Sequence, residues 1–300
     1  MMGYHSTVLL HESVQGLAIQ SDGVYVDTTF GGGGHAKAIL SQLGDRGKLF
    51  AFDRDAAAHE NKIEDERLVL IHQNFKYLQR MLRANGIDRV DGILADLGVS
   101  SHQFDEGKRG FSTRFDAPLD MRMDTSAKHC AYDVVNGYTE AQLQHIFRLY
   151  GELRPARALA RQIVTVRSRR AIETTFQLEG ALRRFAPQTR AHRFYAQVFQ
   201  AIRIEVNGEL ESLKQMLAQG LHLLKTGGRL VVISYHSLED RLVKRFLKAG
   251  NFDGEPIKDF YGVIYHPFKR VNRRVVKPSI GELKENNRAR SAKLRIAEKQ

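Results

Sequence analysis

Three observations predict a doubly wound α/β fold with a helical domain inserted into it. Short apolar runs bounded by turn residues alternate with helical segments through residues 24–97, as in a parallel sheet covered on both faces. A four-glycine stretch, Gly31–Gly34, joins the first run to the first helical segment. More than 130 residues then separate Leu97 from Arg229, where a strand–helix–strand unit needs about 30.

The runs are Val24–Phe30, Lys48–Asp53, Leu68–Ile71 and Val90–Leu97, with a later one at Gly228–Ser234. Helical segments lie between them at Ala36–Leu43, Ala56–Glu66 and Lys76–Asn85, the last closed by Gly86. The excess chain, residues 105–205, is too long for a loop and reads as a helical domain, leaving residues 1–104 and 206–300 as a discontinuous core. In the insert, "TEAQLQHIFRLYG" opens with Thr139 and Gln142 at capping-box spacing and ends at Gly151. "PARALARQIVTVRSRR" starts on Pro155, a good first-turn residue, and lines one side with Leu159, Ile163 and Val166. Ser237 and Asp240 read as a capping box for a helix over residues 238–247. The tail after Tyr265 is basic and less periodic.

Composition narrows the class. Of the 300 residues 42% are hydrophobic, enough for a sizeable core. No apolar run approaches the roughly 20 residues of a membrane span, and no signal peptide is apparent. Cys130 is the single cysteine, so cysteine metal clusters and intrachain disulfides are excluded. A cytoplasmic protein is expected. The net charge of +12 is uneven. Residues 1–100 carry ten Lys/Arg against thirteen Asp/Glu, residues 151–210 eleven against five, and residues 266–300 eleven against three. An acidic part joined to two basic ones suggests a small-ligand site beside a polyanion-binding surface.

The glycines follow a strand and open a helix, so bare backbone can approach a ligand there. Gly31-x-Gly33-x-x-Ala36, with Asp53 at the end of the next strand, fits a dinucleotide pattern, Asp53 taking ribose hydroxyls. That pattern does not separate a nicotinamide cofactor from S-adenosylmethionine. Asp27 does so better: a carboxylate there repels a pyrophosphate and attracts the ammonium of a methionine moiety. A glycine turn that only permits tight helix–sheet packing is the plain alternative.

Longer motifs carry a resemblance. "HSTVLLHE" (His5–Glu12), "DTTFGGGGH" (Asp27–His35), "DLGVSSHQFD" (Asp96–Asp105), "RGFS" (Arg109–Ser112), "PLDMRMD" (Pro118–Asp124), "YGELRPAR" (Tyr150–Arg157), "QAIRIEVNGEL" (Gln200–Leu210), "SYHSLEDR" (Ser234–Arg241) and "RARSAKLR" (Arg288–Arg295) together make the chain resemble the bacterial ribosomal RNA small-subunit methyltransferase H family, the MraW methylases. Thr7, Thr28, His102 and Phe104 depart from that pattern. The resemblance implies a class I, Rossmann-like methyltransferase core and S-adenosylmethionine. It implies transfer of a methyl group to the N4 amine of a cytidine in the decoding region of small-subunit ribosomal RNA. The partner is that RNA, within the small ribosomal subunit; a homodimer stays open, and no membrane is involved.

By motif, cofactor contacts fall on Gly33, Gly34, His35, Asp53, Phe75, Asp96 and Gln103, beside Asp27. The plain alternatives are a surface cap for His35, a core aromatic for Phe75 and a turn cap for Asp96. The (Asp/Asn)-Pro-Pro-(aromatic) motif of many amino methyltransferases is missing, and "DLGVSS" holds its place. Asp96, with Ser100 or Ser101, is therefore the expected group orienting the amine. Cys130 lacks the setting of a nucleophile for ring-carbon methylation. Arg157, Arg161, Arg167, Arg288, Arg290, Lys293 and Arg295 are expected on RNA phosphates, or else form a solvated face. No metal site is evident. The competing readings are a non-catalytic ribosome-assembly factor, a nicotinamide oxidoreductase and a DNA amino-methyltransferase.

Overall fold

The computed structural model describes residues 7–258 and 260–300; His5 and Ser6 of the first motif, and the side chain of Ser101, lie outside the described residues. In chain order the elements are α1 (Leu10–Leu17), β1 (Val24–Asp27), α2 (Gly34–Leu40), β2 (Lys48–Asp53), β3 (Leu68–His72), α3 (Leu78–Ala84), β4 (Val90–Asp96), α4 (Ser101–Asp105), α5 (Ala131–Gly137), α6 (Glu140–Leu149), α7 (Ala156–Arg167), α8 (Thr175–Leu182), α9 (Ala191–Asn207), α10 (Glu209–Leu223), β5 (Leu224–Ser234), α11 (Ser237–Ala249), β6 (Phe268–Arg270), α12 (Ile280–Glu285) and β7 (Lys293–Lys299). They form two compact units: one made of the chain up to Gly98 and from Leu210 onward, the other of Val99–Glu209.

The first unit is built on a seven-stranded sheet ordered β3-β2-β1-β4-β5-β7-β6. The first five strands are parallel, while β7 runs antiparallel between β5 and β6. The parallel strands read as near-continuous apolar runs because both faces are covered: Phe50 and Phe52 pack on one side with Leu78, Leu82 and Leu217, Leu49 and Ala51 on the other with Leu17 and Ile39. The chain leaves β1 in one direction toward β2 and β3 and returns on its other side as β4, so β1 and β4 flank the switch point.

Sequence expectations change in four places. Residues 56–66 form only a 3₁₀ turn over Ala56–Asn61, capped by Asp55, before Lys62 turns extended. The fifth strand starts earlier than the Gly227-Gly228 turn and contains it, Gly227 sitting at φ +81° within a register shift against β4. The tail is not irregular: Leu294 and Ile296 alternate with Lys293 and Arg295, and the buried pair seats β7 in the sheet. At α11 the cap lies one residue earlier than expected. His236 is extended and caps with Glu239 as its box partner, which leaves Asp240 free to bind Lys293 at 3.1 Å and Arg295 at 2.7 Å on β7.

The second unit is a helical domain around Leu143, Ile146, Phe147, Leu159, Ile163, Val198 and Ile202. Thr139 and Gln142 do form a capping box at the start of α6. Several family-like motif residues serve as scaffold here. Arg109 is buried and donates to the carbonyls of Arg122 and Met123. Asp120 and Arg122 make a two-point pair, both bonds 2.8 Å. Asn207 accepts from the Met123 amide and donates to the Met121 carbonyl, tying that loop to α9.

Asp240 joins α11 to β7 through two charge-assisted bonds in a mostly buried setting. Burial raises its pKa, but Arg295 and Lys293 outweigh it and hold the carboxyl below its usual value. Asp240→Ala should therefore destabilise the protein by about 1–3 kcal/mol, read from urea unfolding midpoints at pH 7. The difference should shrink at pH values low enough to protonate Asp240.

Candidate functional site

Three aspartates end three neighbouring strands: Asp27 on β1, Asp53 on β2 and Asp96 on β4. They lie at the carboxyl ends, where open α/β sheets bind ligands. Each is held differently.

Asp27 is fully buried. Its Oδ1 accepts from the Thr29 amide at 3.0 Å and from the Thr29 hydroxyl at 3.4 Å. Among the described residues its Oδ2 is buried with no hydrogen-bond partner. Burial pushes its pKa up to about 7, the Thr29 bonds pulling down and nearby Asp53 pushing up. Asp53 accepts from the Gly31 amide through Oδ2 and from the Asp55 amide through Oδ1, both at 2.9 Å. Burial raises it too, against those two bonds. One amide per oxygen leaves lone pairs for further donors.

Asp96 keeps 22% of its side chain exposed. Its amide donates to Thr29 Oγ1 at 2.7 Å, and its Oδ1 accepts from the Tyr235 hydroxyl at 2.7 Å. Burial pushes its pKa up to about 7; Tyr235 lowers it, while Asp27 and Glu239 raise it. His35 lies 3.9 Å away, Nδ1 to Oδ2. Burial lowers the pKa of His35 to about 4, so its ring is neutral at pH 7 and the contact is no ion pair. His35 Nε2 is likewise buried without a partner among the described residues. Thr29 and Tyr235 were not singled out from sequence. Thr29 bridges Asp27 to Asp96, and its only sequence signal is its place between a strand-end aspartate and the glycines.

The glycines have reasons of their own. Gly33 sits at φ +74°, and a side chain on Gly34 would run into the Thr7 hydroxyl. A Cβ on Gly32 would meet nothing within 4 Å, so that is the position where backbone faces open space. Phe75 begins a 3₁₀ turn after β3 and is half-buried against the core.

Ser100 and Gln103 belong to the second unit, where they cap α4 reciprocally: the Gln103 amide donates to Ser100 Oγ at 3.2 Å, and Gln103 Oε1 accepts from the Ser100 amide at 3.1 Å. Of the expected RNA-facing cations, Arg157, Arg161 and Arg290 are exposed. Arg161 also lies 3.7 Å from Glu140. Three others are engaged within the protein. Arg167 donates to the carbonyls of Val135 and Tyr138, and Lys293 and Arg295 neutralise Asp240. Arg288 is half-buried.

A buried carboxylate oxygen without a donor is costly, and a proton or a ligand ammonium would relieve it. With Asp53 able to accept from two hydroxyls, and open space beside Gly32, these residues fit a nucleoside linked to an amino acid, as in S-adenosylmethionine. Raised carboxyl pKa values also fix a sign for stability. Between the unfolded value near 4 and the folded value near 7, the folded ligand-free protein holds protons that the unfolded chain has lost. This stabilising contribution is complete below about pH 4 and is lost as pH rises through 7. Asp27→Asn should thus raise the melting temperature of the ligand-free protein at pH 8 relative to wild type, with the gap closing by pH 5.

A family model described as the MraW methylase family matches residues 2–300. Ribosomal RNA small subunit methyltransferase H of Flavobacterium psychrophilum is 59% identical over 291 residues, 97% of this chain and 100% of that one. The protein of the same name from Christiangramia forsetii is 57% identical over 299 residues, 100% of this chain and 99% of that one.

Proposed function

The chain belongs to the MraW methylase family, a family of S-adenosylmethionine-dependent ribosomal RNA methyltransferases, and on that premise we propose that it methylates the N4 amine of a cytidine in the decoding region of small-subunit ribosomal RNA. The observation that carries the site assignment is Asp27 Oδ2, buried without a donor among the described residues, at the switch point beside Asp53 and Asp96.

Bound there, S-adenosylmethionine supplies a methyl group already activated on a sulfonium. Asp27 takes the ammonium of its amino-acid end, and Asp53 accepts from the ribose hydroxyls. His35 and Phe75, also expected at the cofactor, lie on the same unit, whereas Gln103 lies on the second. The task left to the protein is alignment: nitrogen, methyl carbon and sulfur must lie in a line. A cytosine amine is a poor nucleophile, because its lone pair is delocalised into the ring. Asp96 accepts a hydrogen bond from that amine through Oδ2, which favours a more tetrahedral nitrogen. Its pKa near 7 also suits it to accept the proton that the amine loses. Ser100 has a structural duty as the cap of α4, so Asp96 alone carries the orienting role.

The target base must be unpaired or splayed out for its amine to reach the methyl donor. The exposed arginines Arg157, Arg161 and Arg290 meet phosphates of the RNA, presented within the small subunit in the cytoplasm.

The deciding experiment is transfer of labelled methyl to unmethylated small subunits, their naked RNA and a DNA control, followed by nucleoside mass spectrometry. Label in N4-methylcytidine from the particle is expected; no label anywhere, with cofactor binding confirmed, refutes the assignment and leaves an assembly factor on a methyltransferase fold. Asp96→Ala should lower kcat at saturating cofactor by about a hundredfold. An unchanged rate there would remove Asp96 from the chemistry. Replacing Arg157 and Arg161 by alanine should weaken RNA binding and reduce the slope of log K against log salt by about 2.

A further inference from the structure

Asp96 can orient an amine only if its free oxygen points one way. Its backbone is pinned by the 2.7 Å bond from its amide to Thr29 Oγ1. Its side chain is pinned by the 2.7 Å bond from the Tyr235 hydroxyl to Oδ1. That leaves Oδ2, which among the described residues approaches the neutral ring of His35 at 3.9 Å. Tyr235 is itself held at both ends. Its amide donates to Glu239 Oε2 at 2.9 Å, and Glu239 is buried at the start of α11. Its ring lies beside Gly98, where a Cβ would stand 3.5 Å from Cδ2. Gly98 itself sits at φ +98°, a conformation that suits glycine.

We infer that Tyr235 is a positioning residue for methyl transfer: its hydroxyl fixes Oδ1 of Asp96 and so commits Oδ2 to the attacking amine. The inference rests on the role given to Asp96 above. The phenol is suited to this, because burial and the Asp96 charge push its pKa well above 10 and keep it a donor across the working pH range.

A tyrosine that merely fills space would leave the Asp96 titration alone, and this separates the two roles. The groups facing Asp96 are Asp27 from β1, His35 from α2, Tyr235 after β5 and Glu239 from α11. Tyr235 is the one among them that lowers the carboxyl pKa. Tyr235→Phe keeps the ring and removes the bond. We expect kcat to fall about tenfold at pH 7 with KM for the cofactor within about twofold. We expect the acid limb of the kcat profile to move up by about half a pH unit or more.

In the ligand-free protein the ¹³C carboxyl signal of Asp96, identified by its loss in Asp96→Asn, should titrate at higher pH in Tyr235→Phe. An unchanged kcat overturns the inference, and so does a lowered kcat with an unmoved titration. If Tyr235→Phe melts below the assay temperature, uniform 3-fluorotyrosine labelling keeps the hydroxyl and makes it a stronger donor. The Asp96 titration should then move down, and an unmoved signal overturns the inference equally. A wild type that transfers no methyl to any acceptor refutes the proposed function, while the ligand-free titration still reports whether Tyr235 governs Asp96.

Discussion

Carboxylates crowded at the carboxyl ends of parallel strands are the constraint around which the first unit is arranged. Asp27 is wholly enclosed and, among the described residues, has a donor on one oxygen only. Asp96 stands close enough for the two charges to raise each other's cost. No lysine or arginine neutralises either of them among the described residues. What relieves the pair is a proton or a cationic ligand. The neighbouring groups can be understood from that. Thr29 serves both aspartates, the Gly31 amide serves Asp53, and Tyr235 serves Asp96. A ligand-free site of this kind is held at some expense of stability, and a cationic ligand bound there would recover it.

The helical unit spends its charged motif residues differently. Arg109 and the Asp120–Arg122 pair bond to backbone or to each other, and Asn207 ties the loop around Met121 to α9. Met121 itself adopts φ +55°, a conformation that non-glycine residues seldom adopt. These residues hold an irregular loop in one shape, so that its backbone polar groups are satisfied without regular secondary structure. Their part in function is the part of a frame. The exposed arginines of α7 stand on that frame.

Much of the core was legible from local pattern. The apolar runs located the parallel strands to within three residues at their ends, apart from the early start of β5, because a strand covered on both faces needs an unbroken apolar run wherever it sits. The box at Thr139 and Gln142 was readable, since a cap is settled within four residues. The box at α11 was misplaced by one residue. Ser237 and Asp240 match the usual residue types better than His236 and Glu239, and the choice was made by Asp240 being drawn to β7. The 3₁₀ turn at Ala56–Asn61 was overread as a helix, because alanine and glutamate favour helices whether or not a partner face exists for them.

The sequence by itself determined that strands alternate with helices, that glycines follow the first strand, and that aspartates stand at the ends of the first, second and fourth. Each of these depends on residues near in the chain. Tertiary structure alone decided which side chains meet. Tyr235 reaches Asp96 across 139 residues, and Asp240 meets Arg295 across 55. It also decided that a basic tail becomes β7, an inner strand whose Lys293 and Arg295 are spent on Asp240. The physical reason is common to all three. A charge or hydroxyl is committed by the nearest buried partner, and that partner is brought there by sheet order, which no local periodicity encodes.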